Sequence, residues 1–306
     1  MIFRKSKKMS GSPTLLELPI TIANQILEKL EPMAMLTCRK VCRTLRSTID
    51  RLGILYGDIR FGIWENSVTM NSDGVDLEFT DANSVTHDIL NRRILGDNYL
   101  GSAFKDLKVL LEHAKGLAIC NYSEDDIYAT VLIDVLKEKE CIHIKKVVFE
   151  YFSFNDIVSL LPYFNAQVLQ EIRTEDSGLI EQFERIIALD QWKNAKKFVI
   201  LDSVIDSNHM EQLFHFEEFL VNLDDFSVEH AVQIRDNLLR KSTFKKCTVR
   251  FHSTNPTRVA KIFQPDYTDD EEFKFEYSND ENTFLIHFRE LSLNHYELFI
   301  EKCLLK

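Results

Sequence analysis

The sequence is thin in the features that usually announce chemistry. Its nine glycines are scattered over 306 residues and form no Gly-rich loop able to cradle a phosphate. Neither His-Glu-x-x-His nor Gly-x-Ser-x-Gly occurs, which removes two common signatures of metal-based and serine-based hydrolysis. The six cysteines are irregularly spaced and do not read as a disulfide framework in a chain this long. A reducing compartment, cytoplasmic or nuclear, is the expectation. No run of 18 apolar residues is present, so no membrane-spanning helix is expected. Arg4, Lys5, Lys7 and Lys8 are not followed by the apolar core of a secretory leader.

Candidate metal and nucleophile groups fare no better. Cys38 and Cys42 have helical i, i+4 spacing, but no second Cys or His pair completes a four-ligand zinc site. His209 and His215 lack that spacing, and nothing selects one cysteine as a nucleophile. No metal, no cofactor and no catalytic residue is expected, and the chain does not read as an enzyme.

What is present is an ordinary globular composition, 45% hydrophobic and 28% charged, with an uneven charge. Residues 1–52 hold 10 Lys and Arg against 4 Asp and Glu. From totals of 37 and 48, the rest holds 27 against 44, a net of −17. That asymmetry argues for two functional parts. It argues against nucleic acid as partner of the acidic part, because phosphate binding needs a basic surface.

The basic part, after a basic and flexible N-terminus over 1–14, has the pattern of three short helices over 15–52. Pro19 suits a first helical turn, and Ile22, Ala23, Ile26, Leu27 and Leu30 recur at helical spacing. Pro32 stops that helix. A last helix is expected to place Cys38, Val41, Cys42, Leu45, Ile49 and Leu52 on one stripe. Leu18-Pro19, Ile26-Leu27, Leu30, Pro32, Leu36, Val41-Cys42 and Arg46 stand in an order that resembles the F-box. Met33-Ala34-Met35 replaces an acidic residue usual there, and Leu45 a frequent aromatic. The resemblance implies that Leu18, Pro19, Ile22, Ile26, Leu27, Leu30, Leu36, Val41, Cys42 and Arg46 dock on a Skp-family adaptor of a cullin complex.

Residues 53–80 read as a β-rich element joining this unit to the body, with turn signals at Glu65-Asn66 and Asp73-Gly74. Helices are expected over Ser84–Leu95 and Ala103–His113. Over 81–265, short β-rich runs around Ile119, Phe149, Ile172, Ile200, Leu220 and Val249 alternate with helical patterns. Their spacing of roughly 20–30 residues is that of leucine-rich-type repeats, although the strict consensus is missing. The fold class is therefore α/β: three N-terminal helices, then a degenerate leucine-rich-repeat-like solenoid of parallel strands and helices.

Lys145-Lys146, Lys196-Lys197 and Lys245-Lys246 precede three of those strands at intervals of 51 and 49 residues. Strand alternation puts Val147, Phe149 and Tyr151, Phe198 and Ile200, and Cys247, Val249 and Phe251 on an apolar core face. Val148, Glu150, Val199, Leu201, Thr248 and Arg250 fall on the other, mixed face, the expected substrate-binding surface.

Gln191, Trp192, Lys193, Ala195 and Lys197, then His215, Phe216, Phe219, Phe226, Ser227, Arg235, Asp236, Leu238, Leu239, Ser242 and Phe244 resemble the FTH domain, over about 150–255. This domain lies beside F-boxes in a large nematode family (the F-box A type). The resemblance implies the substrate-recruiting subunit of a cullin-based ubiquitin ligase, with an unknown protein substrate. A non-catalytic scaffold without a ligase role is the alternative. Over 266–306 an acidic loop, a hairpin of Phe273–Tyr277 with Thr283–Phe288, and a capping helix from Asn294 to Leu305 are expected.

Overall fold

The computed structural model describes residues 18–303 apart from 31, 53–55, 73–74, 81–91, 96–97, 113, 124–126, 139–140, 178–179, 181–182, 254–255, 269–271 and 280–281. The basic segment 1–14, the Asp73-Gly74 turn and most of the acidic run after Asp266 lie outside the described residues.

Three short helices open the chain: α1 (Ile20–Leu27), α2 (Pro32–Val41) and α3 (Arg43–Leu52). The Pro19 carbonyl accepts the first turn's bonds from Ile22 and Ala23 N–H at 2.9 and 3.0 Å. Pro32 takes the first position of α2, where its missing N–H removes no helical bond. The expected single stripe from Cys38 to Leu52 is divided. The Cys42 sulfur accepts the Leu45 N–H at 3.5 Å, so Cys42 acts as a cap that starts α3 rather than a link that continues α2. Arg39 and Asp50 tie α2 to α3.

The remaining elements are β1 (Tyr56–Ile63), β2 (Ser67–Ser72), β3 (Val75–Thr80), β4 (Arg92–Leu95), α4 (Tyr99–Leu110), β5 (Ala114–Asn121), α5 (Ile127–Lys137), β6 (Lys146–Glu150), α6 (Phe154–Leu160), β7 (Glu171–Glu175), α7 (Glu184–Ile187), α8 (Asp190–Asn194), β8 (Lys197–Ile205), β9 (Glu218–Leu223), α9 (Val228–Gln233), β10 (Lys246–His252), α10 (Pro256–Phe263), β11 (Glu272–Ser278), β12 (Thr283–Ser292) and β13 (His295–Lys302). Tight 3-10 turns at Leu161–Tyr163 and Ser207–Leu213 replace or extend helices. Among the described residues the strands form one mixed sheet in the order β11-β12-β13-β10-β9-β8-β7-β6-β5-β1-β2-β3-β4. β5 to β10 lie side by side in chain order, all parallel, and β1 is parallel to β5. The fold is a mixed α/β architecture with parallel strands alternating with helical crossovers.

Three expectations are corrected. Residues 53–80 are not a connector, because β1 pairs with β5 from Tyr56 to Ile63 and carries β2 and β3 into the same sheet. Arg92–Leu95, expected as a helix end, is strand β4; Ser84–Asn91 lie outside the described residues. The expected C-terminal helix is strand β13. Tyr296, Leu298 and Ile300 alternate inward, a period of two that overrides a helical reading, and Asn294 takes a left-handed φ of 58° in the tight turn before it.

One face of the sheet is sealed. Phe61, Ile119, Phe149, Ile172, Phe198, Ile200, Val249 and Phe251 are fully buried with helical residues such as Leu107, Leu132, Leu160 and Ile234. Phe149 meets Phe152 and Phe164 edge to face, the geometry aromatic quadrupoles prefer. Each fully buried large apolar side chain contributes roughly 1.5–3 kcal/mol of transfer free energy. The three opening helices join this core through Leu27, Leu36, Leu45 and Ile49. Lys40 crosses to Asp106 of α4 and sits 5.4 Å from the Phe79 ring centre.

Candidate docking surfaces

The three-helix unit sorts its residues by exposure. Ile22 and Ile26, one turn apart on α1, are 45% and 39% exposed, and Val41 at the α2 end is 69% exposed. Pro19 and Arg46 are also exposed, while Leu18, Leu30 and Cys42 are half-buried. Leu27 and Leu36 are not available for docking, as they lie in the core. Helical period explains the division: Leu27 packs against α3 while Ile22 and Ile26 point away. A small unit that leaves three large aliphatic side chains in water presents a patch fit for a partner.

The second surface is the face of the sheet opposite the core. Its first row crosses the sheet at the start of the parallel strands and alternates in sign. Lys146 pairs with Asp58, Lys197 with Glu171 and Lys246 with Glu218, at 3.8, 3.3 and 3.6 Å. Glu217 takes both Lys196 and Lys245, at 3.3 and 2.9 Å. The lysine pairs recur every second strand because Gln170-Glu171 and Glu217-Glu218 begin the strands between them. Lys245, and secondarily Lys196, hold the Glu217 carboxyl below its usual range.

In the next rows the expected contact residues are mostly closed off. Val148, Glu150 and Val199 are 6%, 6% and 7% exposed, so they do not form an accessible contact surface; Leu201, Thr248 and Arg250 are half-buried. Neighbours on the same face close over Glu150. Arg60 of β1 pairs with it and donates to the Tyr122 hydroxyl at 2.8 Å. Burial pulls the Arg60 guanidinium down, but the bond to Tyr122 and the nearby Glu150 charge leave it above its usual value. Beneath them, burial pushes the Cys120 thiol up to about 12, which keeps it an inert thiol at neutral pH. At the other end of the face, Glu297 lies between Arg250 and Arg289 at 2.9 and 2.7 Å. Burial raises its carboxyl, and the two arginines overcome that and hold it low.

A row of side chains, exposed except for the half-buried Tyr122, rims this face where β1, β5, β6 and β7 end and β8 is irregular. Trp64, Tyr122, Tyr151 and Asp176 are the residues immediately after β1, β5, β6 and β7, and Asp202 follows Leu201, the register partner of Glu175. Trp64 stacks on Tyr122 with ring centres 4.1 Å apart, and Tyr122 meets Tyr151 at 5.3 Å. Gly62 makes the first contact possible, since a Cβ there would lie 2.6 Å from the Thr69 Oγ1 that receives the Trp64 indole N–H. Tyr151, expected on the core face, is instead 47% exposed. Its φ of 60° turns it out of the strand, as φ values of 50° and 60° turn Asp176 and Asp202. A left-handed conformation costs a non-glycine residue about 1–2 kcal/mol, and here it recurs on three neighbouring strands. The Asp176 carboxylate beside Tyr151 pushes its phenol above the usual range.

The segment resembling the FTH domain supplies the frame rather than a site. Trp192 is buried among Phe183, Phe198 and Phe216. Gln191 donates to the Phe164 carbonyl at 2.8 Å, and His215 Nε2 lies 2.9 Å from the Trp192 carbonyl. Ser227 caps α9 by accepting from His230 N–H, while His230 Nδ1 accepts the Ser227 N–H. Among the described residues, no group of three or more His, Cys, Asp or Glu side chains is arranged to hold a metal ion. No helix among them is long and apolar enough to cross a membrane.

Comparison with known proteins agrees with this division. Residues 15–56 match the F-box domain family and residues 126–266 the FTH domain family. The second match begins just before α5 and ends after α10, wider than the sequence pattern alone delimits. The chain is similar to "F-box A protein 224" of Caenorhabditis elegans, 24% identical over 291 residues, covering 88% of this chain and 75% of that protein. No solved structure matches. F-box domains generally serve as non-enzymatic adaptor modules that bind Skp-family proteins in ubiquitin ligases. The chain is an F-box protein carrying an FTH domain, of the kind found in nematodes.

Proposed function

We propose that this chain is the substrate-recognition subunit of an SCF-type cullin ubiquitin ligase, acting in the cytoplasm or nucleus. The exposed apolar set Ile22, Ile26 and Val41, with Leu18 and Pro19 beside it, docks on a Skp-family adaptor. The body, a degenerate leucine-rich-repeat-like solenoid, holds a protein substrate on the open side of its sheet. The mechanism is proximity: a tethered substrate meets the ubiquitin-conjugating enzyme at high effective concentration, and this chain makes or breaks no bond itself. The observation that carries the reading is aliphatic side chains left in water on the unit that matches the F-box.

Desolvated apolar anchors dominate such docks. Ile22→Asp with Ile26→Asp is therefore expected to abolish capture of a Skp-family adaptor while circular dichroism and melting stay unchanged. Leu18→Ala with Pro19→Ala weakens the same capture. Undiminished capture by the Ile22/Ile26 variant removes the assignment of that surface. Absence of cullin and adaptor subunits on purification of the wild-type chain favours the scaffold reading instead.

A further inference from the structure

The rim row of Trp64, Tyr122, Tyr151, Asp176 and Asp202 has the makings of a binding groove, and its chemistry selects one kind of occupant. We propose that this row binds an extended basic segment of a partner protein, with Arg or Lys side chains laid over the exposed Trp64 and Tyr151 rings and paired to Asp176 and Asp202. The proposal rests on the substrate-binding part of the function above and names the substrate's chemistry.

Three observations select a basic segment. Large rings with exposed faces attract cations through the ring quadrupole, and Trp64 and Tyr151 are 43% and 47% exposed. Asp176 and Asp202 are exposed, and no cation of this chain pairs with either among the described residues. The neighbouring carboxylates are paired with cations, Glu150 with Arg60 and Glu175 with Arg173 at 2.5 Å. Asp176 instead has the neutral Tyr151 phenol beside it, so the two aspartates keep their charge uncompensated for a cationic ligand. The part of the chain after residue 52 also carries a net −17, which steers cationic partners toward it.

Arg60 shows the charge-pairing half of this mode inside the molecule itself, donating to the Tyr122 hydroxyl and pairing with the Glu150 carboxylate. The size also fits. Five positions on neighbouring strands spaced about 4.8 Å apart make a row of roughly 19 Å, the span of about six extended residues. Trp64 is fixed by its stack on Tyr122 and its bond to Thr69, so little side-chain freedom is lost on binding.

The test uses the full chain. A random dodecapeptide library is panned against wild type, Trp64→Ala, and Asp176→Asn with Asp202→Asn; the selected peptides are then titrated by fluorescence anisotropy. The expected result is enrichment of Arg and Lys, binding that weakens as salt rises, and about tenfold weaker binding to either variant. Enrichment of neutral or acidic peptides, no enrichment, or equal binding by the folded variants overturns the proposal. So does concentration-dependent self-association of wild type that Trp64→Ala removes, since the occupant is then a second copy. Capture of the Skp-family adaptor by the same variants separates the two readings. Retained capture with lost peptide binding confirms the rim alone, and lost capture by Ile22→Asp/Ile26→Asp leaves peptide binding untouched.

Discussion

The F-box helices and the α/β body expose different kinds of surface, although the body also leaves single aliphatic side chains such as Val204 and Leu293 in water. The helices group Ile22, Ile26 and Val41 on one small unit, whereas the open face of the body is dominated by charge pairs and a rim of amphipathic rings. A short unit with a marginal core gains by sharing surface with a partner. The body, with its own sealed core, presents a surface that can discriminate between partners through charge and ring geometry. On the function proposed above, one surface would serve a constant partner and the other a chosen one.

The strongest way to break this comparison is at the body's core. Trp192→Ala removes a ring packed against three others and is expected to lower stability by about 3–5 kcal/mol in denaturant titration. The exposed pair Ile22→Asp and Ile26→Asp shifts stability by under about 0.5 kcal/mol. Similar losses for the two would erase the distinction between packed and presented apolar groups.

The junction between the regions comes next. Burial holds the Asp106 carboxyl above its usual range despite Lys40, so the charged form is disfavoured by folding. Removing the cation strands that charge: Lys40→Ala is expected to destabilise by about 1–2 kcal/mol, while Asp106→Asn is nearly neutral. Equal effects in thermal melts would show that the bridge, not the buried carboxylate, dominates.

Glu297 gives the opposite pH response. Its folded pKa is depressed, so its stabilisation is present above the ordinary glutamate range and is lost as pH falls through that range toward the lower folded value. Glu297→Gln should cost about 1–2 kcal/mol at neutral pH and flatten that part of the acid profile. The smallest effect belongs to the charge ladder. Glu217 is half-buried but its partners Lys196 and Lys245 are exposed, so Glu217→Gln should cost under about 1 kcal/mol, and less in high salt.

The sequence made some of this legible. Runs such as VVFEY and CTVRF announced their strands because β-branched and aromatic residues alternate there, and the F-box and FTH patterns were readable because Leu27, Leu36, Trp192 and Phe216 are core. The same fact hides the docking surface in the sequence, since Leu27 and Leu36 carry the pattern but are buried and cannot dock. HYELFIEK has the length of a short helix, but its apolar residues alternate and it forms β13. The rim row is not legible in the sequence because its successive members stand 25 to 58 residues apart and only the register aligns them. One signal was available: Asp-Ser follows β7 at Asp176 and recurs at Asp202 in β8, marking equivalent bends.

The placement of β13 bears on synthesis and quality control. It follows β12 in the chain yet lies between β10 and β12. Any chain that stops before His295 leaves the ladder groups of both neighbours without partners. Such truncated chains, or nascent ones before β13 emerges, carry two open strand edges and are templates for aggregation. Closure of the sheet between β10 and β12 therefore waits on β13, and termination before it makes a chain that is sticky rather than merely shorter.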